Sequence, residues 1–507
     1  GKALNDSDSS AYYNGCAPGS RLSFYCDNGR NYPPEEVAKV VDTVKPRLST
    51  NSWGLDYTGP LHDSQWDQIA YERNNTLFLF AAGNSAASGE YEYYYGYQSL
   101  RSPGSAKNML TVGAATSVYV DESSIGTDKK EIYLTDEDDE STHLTKVLKW
   151  SLVDYEKNIG MKHLFDSGRL RVSVSRNPDK YENNTVLVID NREQFESLPR
   201  DKPPYFVVTT FDFEVENFSN YGFSHTFPVM YLDKDLVPKY ESNFLESNYR
   251  TSKGYSRADF SSKGTGNLGL MKPDIMCPGV SILSARALPN APYDQKELTI
   301  KHGTSMATPI CAGASAIVMQ YFQDGNYRNK QLTISAPLTR SFMITCSDPT
   351  HDKLYPNCEE GHGLLNLGKY IGNGLDTDNS HLLVGDNIKL TDGGSRHLMA
   401  TFSVADTTTE VKVTLSYLDA VLSPDSSAAL AVDIDLVVVS PSGKVYRGNQ
   451  REDGTEEHYS TNEGVIVPQA EVEKGSYEIH VFSAIPSTLE NLTDSVYFAV
   501  TVYGTLD

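Results

Sequence analysis

Residues 302–310 read His-Gly-Thr-Ser-Met-Ala-Thr-Pro-Ile, which sets Ser305 directly ahead of a run of small and apolar residues. Ala307, Ala312, Gly313, Ala314, Ala316, Ile317 and Val318 make up that run, and it predicts a buried helix whose Ala and Gly let neighbouring elements pack closely. A serine at the start of such a helix sits where unsatisfied N–H groups and the helix dipole favour negative charge. That position suits a nucleophile that must carry an oxyanion beside it.

Other blocks surround this one in order. Residues 78–85, Phe-Leu-Phe-Ala-Ala-Gly-Asn-Ser, read as an apolar strand that stops at Gly83 and Asn84. Residues 51–54 are Asn-Ser-Trp-Gly, residues 102–104 are Ser-Pro-Gly, and residues 112–114 are Val-Gly-Ala. Residues 260–264, Phe-Ser-Ser-Lys-Gly, and residues 272–275, Lys-Pro-Asp-Ile, stand ahead of the serine, and residues 361–366, Gly-His-Gly-Leu-Leu-Asn, come after it. Together the blocks resemble the subtilisin-like serine proteases, in that family's order. The resemblance implies a doubly wound α/β parallel sheet with Ser305 as nucleophile and Asn84 as the side-chain donor of the oxyanion hole. It sets Ser52, Trp53 and Gly54 along the substrate backbone, Thr304 beside the substrate, and Ala81, Ala82 and Gly83 on a wall of the pocket for the residue before the cut. Small residues on that wall predict a roomy apolar pocket. Trp53 either narrows the pocket further back or belongs to the core.

Acyl transfer by a serine needs a base to take its proton and a group to orient the base. The family's aspartate and histidine blocks should both precede residues 14–18, Asn-Gly-Cys-Ala-Pro, and residues 1–5 resemble the segment directly after the histidine block. The expectation is therefore that Asp and His come from an N-terminal fragment separate from this chain. None of the eleven histidines lies in a matching block, and His302 belongs to the serine motif itself.

The 507 residues exceed one ordinary core. The expected division is a catalytic domain over 1–119 and 253–375, an inserted β-rich domain over 120–252, and an all-β domain over 376–507. In the first part, strands are predicted at 21–26, 47–53 and 76–83 and helices at 35–45 and 62–75, an alternation that suggests parallel βαβ units. The insert opens on an acidic run, residues 136–140, and carries β-rich runs at 185–190, 205–210 and 227–232. Their order resembles the protease-associated domain of some family members; an insert particular to this branch is the other reading. Alternating strands at 397–404, 410–418, 432–439, 477–482 and 496–503 suggest a sandwich or jelly roll. This region resembles the C-terminal β-domain of one branch of the family, which can bind calcium. Asp433 and Asp435 point to one side of a strand and are either metal ligands or caps for loop amides.

A formal charge of −23 argues against nucleic acid, which needs a basic face. No apolar run is long enough to span a bilayer. Six cysteines and Asn-X-Ser/Thr sequences at Asn5, Asn74, Asn183, Asn217 and Asn491 favour a secretory route. Cys346 is expected to pair with Cys358 and Cys16 with Cys26, and Cys277 and Cys311 are read as buried thiols rather than a bridge. The chemistry requires no cofactor, and the resemblance allows structural calcium. Three functions are open: a secreted serine endopeptidase acting on polypeptides once the N-terminal fragment is bound, a pseudoprotease that binds or scaffolds, or a carrier for an adhesive or carbohydrate-binding β-domain.

Overall fold

The computed structural model describes residues 15–25, 33–55, 59–87, 96–116, 128–136, 145–146, 169–178, 185–198, 206–210, 229–231, 242–250, 257–258, 260–280, 282–285, 298–350, 355–371, 381–390, 397–424, 426, 428–449, 458–484 and 496–507. Its contacts form two compact units, one of residues 1–117, 255–280 and 302–507, the other of residues 118–254 and 281–301.

The larger unit is built on a six-stranded sheet of β1 (Leu48–Asn51), β2 (Leu77–Ala81), β3 (Leu110–Ala115), β4 (Ile275–Pro278), β5 (Ser347–Asp348) and β6 (Leu364–Leu365). The order is β1-β2-β3-β4-β6-β5, parallel throughout except for β5. Both faces of this sheet are covered, as parallel sheets require. On β2, Leu77 and Leu79 face a core shared with α3 (Thr304–Gln323) and α4 (Ala336–Thr345), where Ala307, Cys311, Val318, Phe322 and Phe342 are buried. Phe78 and Phe80, one residue out of phase, face α1 (Pro34–Val44) and α2 (Pro60–Tyr71) through Val37, Val41, Trp66 and Ile69. Proline occupies the first turn of α1 and α2, where its missing N–H is no loss. Left-handed Lys45 ends α1, and Pro46 comes next.

The expected helices and the strands at 47–53 and 76–83 are present. Residues 21–25, expected as a strand, are not one: Leu22 and Phe24 are each 90% exposed, so their alternation packs against nothing.

After α5 (Leu367–Ile371) come eight strands: β7 (Leu382–Leu390), β8 (His397–Val404), β9 (Val411–Tyr417), β10 (Asp433–Val439), β11 (Val445–Arg447), β12 (Asn462–Val467), β13 (Gly475–Ala484) and β14 (Val496–Tyr503). They form two antiparallel four-stranded sheets, β7-β14-β9-β12 and β8-β13-β10-β11. Val411, Val413, Leu415 and Tyr417 of β9 point into the sandwich core. Its alternate residues Lys412, Thr414 and Ser416 are equally buried, because that face lies on α4. Ser341 donates to the Thr414 carbonyl at 3.0 Å and to Thr501 Oγ1 at 2.8 Å.

The smaller unit holds a mixed sheet in which Arg169–Ser175, Thr185–Ile189, Phe206–Thr209 and Val229–Tyr231 run parallel and Asp128–Asp136 and Ser242–Arg250 pair antiparallel. A hairpin of Ile282–Ala285 and Leu298–Lys301 belongs to it. Residues 137–140 of the acidic run, Cys26, Asn5, Asn183, Asn217 and Asn491 lie outside the described residues.

The cysteine pairing is corrected. Cys346 and Cys358 do not form the expected bridge. Cys346 is buried in the core under the end of α4, whereas Cys358 lies in a loop with its sulfur 3.7 Å from Met271 Sδ. Cys277 and Cys311 are buried free thiols, as expected, and Cys16 is free and exposed.

Candidate active site

Gly303 precedes α3 at φ 146°, a conformation that side chains rarely adopt. A Cβ there would stand 3.3 Å from Asn84 Nδ2, so glycine also lets the Asn84 amide approach the helix start. The Thr304 N–H donates to Asn84 Oδ1 at 2.9 Å and its hydroxyl donates to the same oxygen at 3.0 Å. Thr304 Oγ1 in turn accepts the Gly83 N–H at 3.1 Å. A backbone N–H can only donate, so the amide atom facing it must be oxygen. The Asn84 NH₂ lies beside Gly303, 3.3 Å from where a Cβ of that residue would stand.

Ser305 and Ser52 hold each other. Ser305 Oγ donates to the Ser52 carbonyl at 3.2 Å, and Ser52 Oγ donates to the Ser305 carbonyl at 2.8 Å. The second bond has a cause in the sequence. Pro309 lies inside α3, four residues after Ser305, and lacks the N–H that would take the Ser305 carbonyl. Ser52 supplies the replacement, which pins the segment carrying Trp53 and Gly54 to Ser305.

Around this centre the residues read from sequence divide. Trp53 packs edge-on against Trp66 and Phe80, with centroids at 5.7 and 5.4 Å, and so extends the core. Ala81 and Ala82 are buried, and only Gly83 of the three wall residues is accessible. Sequence reasoning missed Arg101. A Cβ at Gly54 would meet Arg101 Cβ at 3.1 Å, and one at Gly83 would meet Arg101 Cγ at 2.9 Å. The Arg101 stem thus fills the space between the two segments, and its Nη2 donates to Ser85 Oγ at 2.9 Å. This corrects the expectation of an apolar pocket: the small residues make room for an arginine. The signal was in the sequence, two glycines in two separate blocks, but nothing there says what they accommodate.

The loop bearing Arg101 is itself fixed. Ser102 Oγ contacts His62 Nδ1 at 2.8 Å and donates a short bond to Asp63, Ser105 Oγ donates to Asp63 Oδ2 at 2.6 Å, and the Leu55 N–H donates to the Ser102 carbonyl at 2.8 Å. His62 Nε2 accepts from Trp66 Nε1 at 3.3 Å, so both its nitrogens are engaged. Burial holds its pKa below the usual histidine value. His362 is fully buried, which pushes its pKa down to about 4. Among the described residues no histidine hydrogen-bonds to Ser305.

Asp433 and Asp435 lie on β10 in the sandwich, joined there by His458, which sequence reasoning did not single out. One ligand atom from each of the three falls within 4.8 Å of the others, with His458 Nδ1 at 2.8 Å from Asp433 and 3.5 Å from Asp435. Tetrahedral zinc with ligand bonds of about 2.1 Å would separate its ligand atoms by roughly 3.4 Å. Two carboxylates and an imidazole fit such an ion better than calcium, which collects six to eight oxygens.

Comparison with known proteins identifies a family. The profile described as "Subtilase family" matches residues 1–374. The chain is 40% identical over 87 residues to "Serine protease AprX" of Bacillus subtilis (strain 168), covering 16% of this chain and 20% of that protein. It is 27% identical over 198 residues to "Subtilisin-like protease SBT3.2" of Arabidopsis thaliana, covering 38% and 27%. It is 25% identical over 364 residues to "Serine protease/ABC transporter B family protein tagD" of Dictyostelium discoideum, covering 66% and 16%. The chain therefore spans well under two thirds of the length of these relatives. Among solved structures, "PatG macrocyclase in complex with peptide" is similar at 14% identity and a TM-score of 0.33, over 70% of this chain and 60% of that one.

Proposed function

We infer that this chain, which belongs to the subtilase family, is the nucleophile-bearing part of a secreted serine endopeptidase that cleaves polypeptides through an acyl-enzyme. Ser305 attacks the scissile carbonyl, and Asn84 Nδ2 and the Ser305 N–H hold the resulting oxyanion. The observation that carries the reading is the pair of bonds from the Thr304 N–H and hydroxyl to Asn84 Oδ1, which fixes the Asn84 amide at the start of the helix that bears Ser305. The histidine and aspartate come from a separate N-terminal fragment. Two features support that. Ser305 Oγ directs its proton to the Ser52 carbonyl rather than to an imidazole. And among the described residues β1 pairs with β2 alone, which leaves its outer edge open there. The Leu77 N–H bonds the Arg47 carbonyl, so residues 47, 49 and 51 face β2 and the backbone of Leu48 and Thr50 faces the open edge. A strand from the fragment would add there.

The deciding experiment is intact mass and N-terminal sequencing of the native protein, beside labelling with a fluorophosphonate. A companion peptide carrying histidine and aspartate, with label on Ser305, supports the two-piece enzyme. Thr50→Pro removes one outward N–H without touching the β1–β2 pairing, and should abolish both companion and label. No companion and no label in the unaltered protein would leave the pseudoprotease. Deglycosidase treatment should lower the mass, with Asn74 the described acceptor; an unchanged mass argues against the secretory route.

A further inference from the structure

His362 is a buried titratable group that the chemistry at Ser305 does not use. It stands between Gly361 and Gly363, whose φ values are 62° and 104°. A Cβ at Gly361 would meet the Pro273 and Asp274 carbonyl oxygens at 2.3 Å, and one at Gly363 would meet the Asp348 carbonyl oxygen at 2.1 Å. The His362 N–H donates to the Asp274 carbonyl at 2.8 Å, and the Met276 N–H of β4 donates to the Gly363 carbonyl at 2.8 Å. The main chain is thus pressed onto the parallel sheet and leaves the ring little room to move. On its other side the ring meets the sandwich. A Cβ at Gly464 of β12 would stand 2.9 Å from His362 Nδ1, and the Tyr355 ring lies edge-on at 5.2 Å. Nδ1 has no hydrogen-bond partner among the described residues, and neither has the Tyr355 hydroxyl.

A neutral imidazole carries a hydrogen on one ring nitrogen only, whereas the imidazolium carries one on both. Protonation would therefore bury a charged donor at Nδ1 with nothing to receive it. The surrounding charges give little relief. Asp274 favours the charged ring, but its carboxylate already takes Lys272 Nζ and Asn462 Nδ2 at 2.8 Å and the Thr111 N–H at 2.6 Å. Lys412 of β9, Arg340 of α4 and Lys272 are buried cations that oppose it. Glu360 on the same loop accepts from Thr350, and Glu463 beside Gly464 accepts from Asn449 at 3.0 Å.

We propose that His362 makes the joint between the parallel sheet and the sandwich acid-sensitive: a proton taken up by its ring has no place in the folded joint and drives it open. Burial first, and the three cations after it, push the pKa down to about 4, whereas a histidine in an unfolded chain titrates at about 6.5. As the pH falls below about 6.5 the unfolded chain takes up the proton, and the folded chain does not until about 4. Stability present above that window is lost within it. By pH 5 the unfolding constant should have risen about 20-fold through His362. Asp67, which burial pushes up to about 6, works in the opposite sense over the same range, so the test is a comparison of variants rather than a net pH profile. Urea unfolding of the intact chain, His362→Phe and His362→Gln at pH 7 and pH 5 makes that comparison. Between the two pH values both variants should lose about 20-fold less in the unfolding constant than the unaltered chain; an equal loss in all three would overturn the proposal. If the variants do not fold, histidine C2 hydrogen exchange read by mass spectrometry on the unaltered folded chain decides. His362 should stay uncharged at pH 5.5, and half-protonation at pH 6 or above would sink the idea. Neither readout uses Ser305, so the proposal stands or falls apart from the peptidase reading.

Discussion

Thr304 decides the state of the site more than its place in the motif suggests. It is 1% exposed and makes three bonds at once: its N–H and hydroxyl fix Asn84 Oδ1, and its oxygen takes the Gly83 N–H. Thr304→Val keeps the shape and the N–H but strands the Gly83 donor and frees one side of the amide. We expect a loss of about 1–3 kcal/mol in denaturant unfolding, the range for orphaning a buried polar group. Fluorophosphonate labelling of the assembled enzyme should slow as well; an unchanged labelling rate would mean that Asn84 is held without Thr304. Ser305 and Asn84 stand out in the sequence because the blocks around them resemble those of a known family, and Thr304 is named beside the substrate on the same ground. Its bonds to Asn84 and Gly83, and Pro309 and Arg101 altogether, are not legible there, because they depend on which carbonyl or glycine lies opposite across the fold. Pro309 illustrates the gap: sequence marks it as a helix irregularity, and only the structure shows that the freed carbonyl belongs to the nucleophile and is bonded by Ser52.

Alternation marks β8, β9, β10, β13 and β14 in the sequence and misses β7, β11 and β12. Residues 21–25 alternate but form no strand, with Leu22 and Phe24 exposed and only Tyr25 packed on the core, whereas Gly385, Asp386 and Asn387 interrupt the apolar pattern of β7 at an irregularity in its pairing with β14. Strand β10 shows what alternation leaves open. Its pattern sets Asp433 and Asp435 on one face, but the third member, His458, arrives from a distant part of the chain just ahead of β12. The short β11 pairs only with Val437–Val439, so it does not cover the residues opposite the aspartates. With side-chain exposures of 16% and 12% the carboxylates are largely screened from water, and the 51% exposed imidazole leaves a way in. Zinc should therefore raise the thermal midpoint, with stabilisation of about 2.7 kcal/mol when free metal is 100 times the dissociation constant. His458→Ala, at an exposed position, should abolish the effect while the apo midpoint stays put. Equal protection by calcium in both proteins would assign the aspartates to an oxygen-only site, and no protection by either ion would leave them as hydrogen-bonding groups within the sandwich.

The sandwich and the parallel sheet form one compact unit through a surface that is partly apolar, where Leu382, Ala499 and Tyr503 join the core around α4, and partly polar. Arg340 and Lys412 are both completely buried there, and Asn462 Nδ2 donates to Asp274 Oδ1 at 2.8 Å. A sequence that alternates apolar and polar along β9 leaves open whether the polar face meets water or protein; Lys412, Thr414 and Ser416 meet α4. The most telling contact is Lys107 with Asp419, 2.6 Å apart at side-chain exposures of 5% and 0%. Burial pushes the Asp419 carboxyl up while Lys107 draws it down, and its oxygens also accept the N–H groups of Ala431 and Val432 at 2.7 and 3.0 Å. Removing one partner of such a pair leaves a charge with nowhere to go, so Asp419→Ala should cost about 3–5 kcal/mol. Lys444–Glu471, equally short at 2.6 Å but with side chains 50% and 43% exposed, should lose at most about 1 kcal/mol on Glu471→Ala. Chemical denaturation of the two variants separates bond length from burial as the source of stability. If the sandwich merely rode on the catalytic sheet, Asp419→Ala would unfold the sandwich in a separate early transition and leave fluorophosphonate labelling intact. A single shifted transition, with labelling lost along it, is the outcome expected of a nucleophile whose sheet and whose C-terminal sandwich fold as one body.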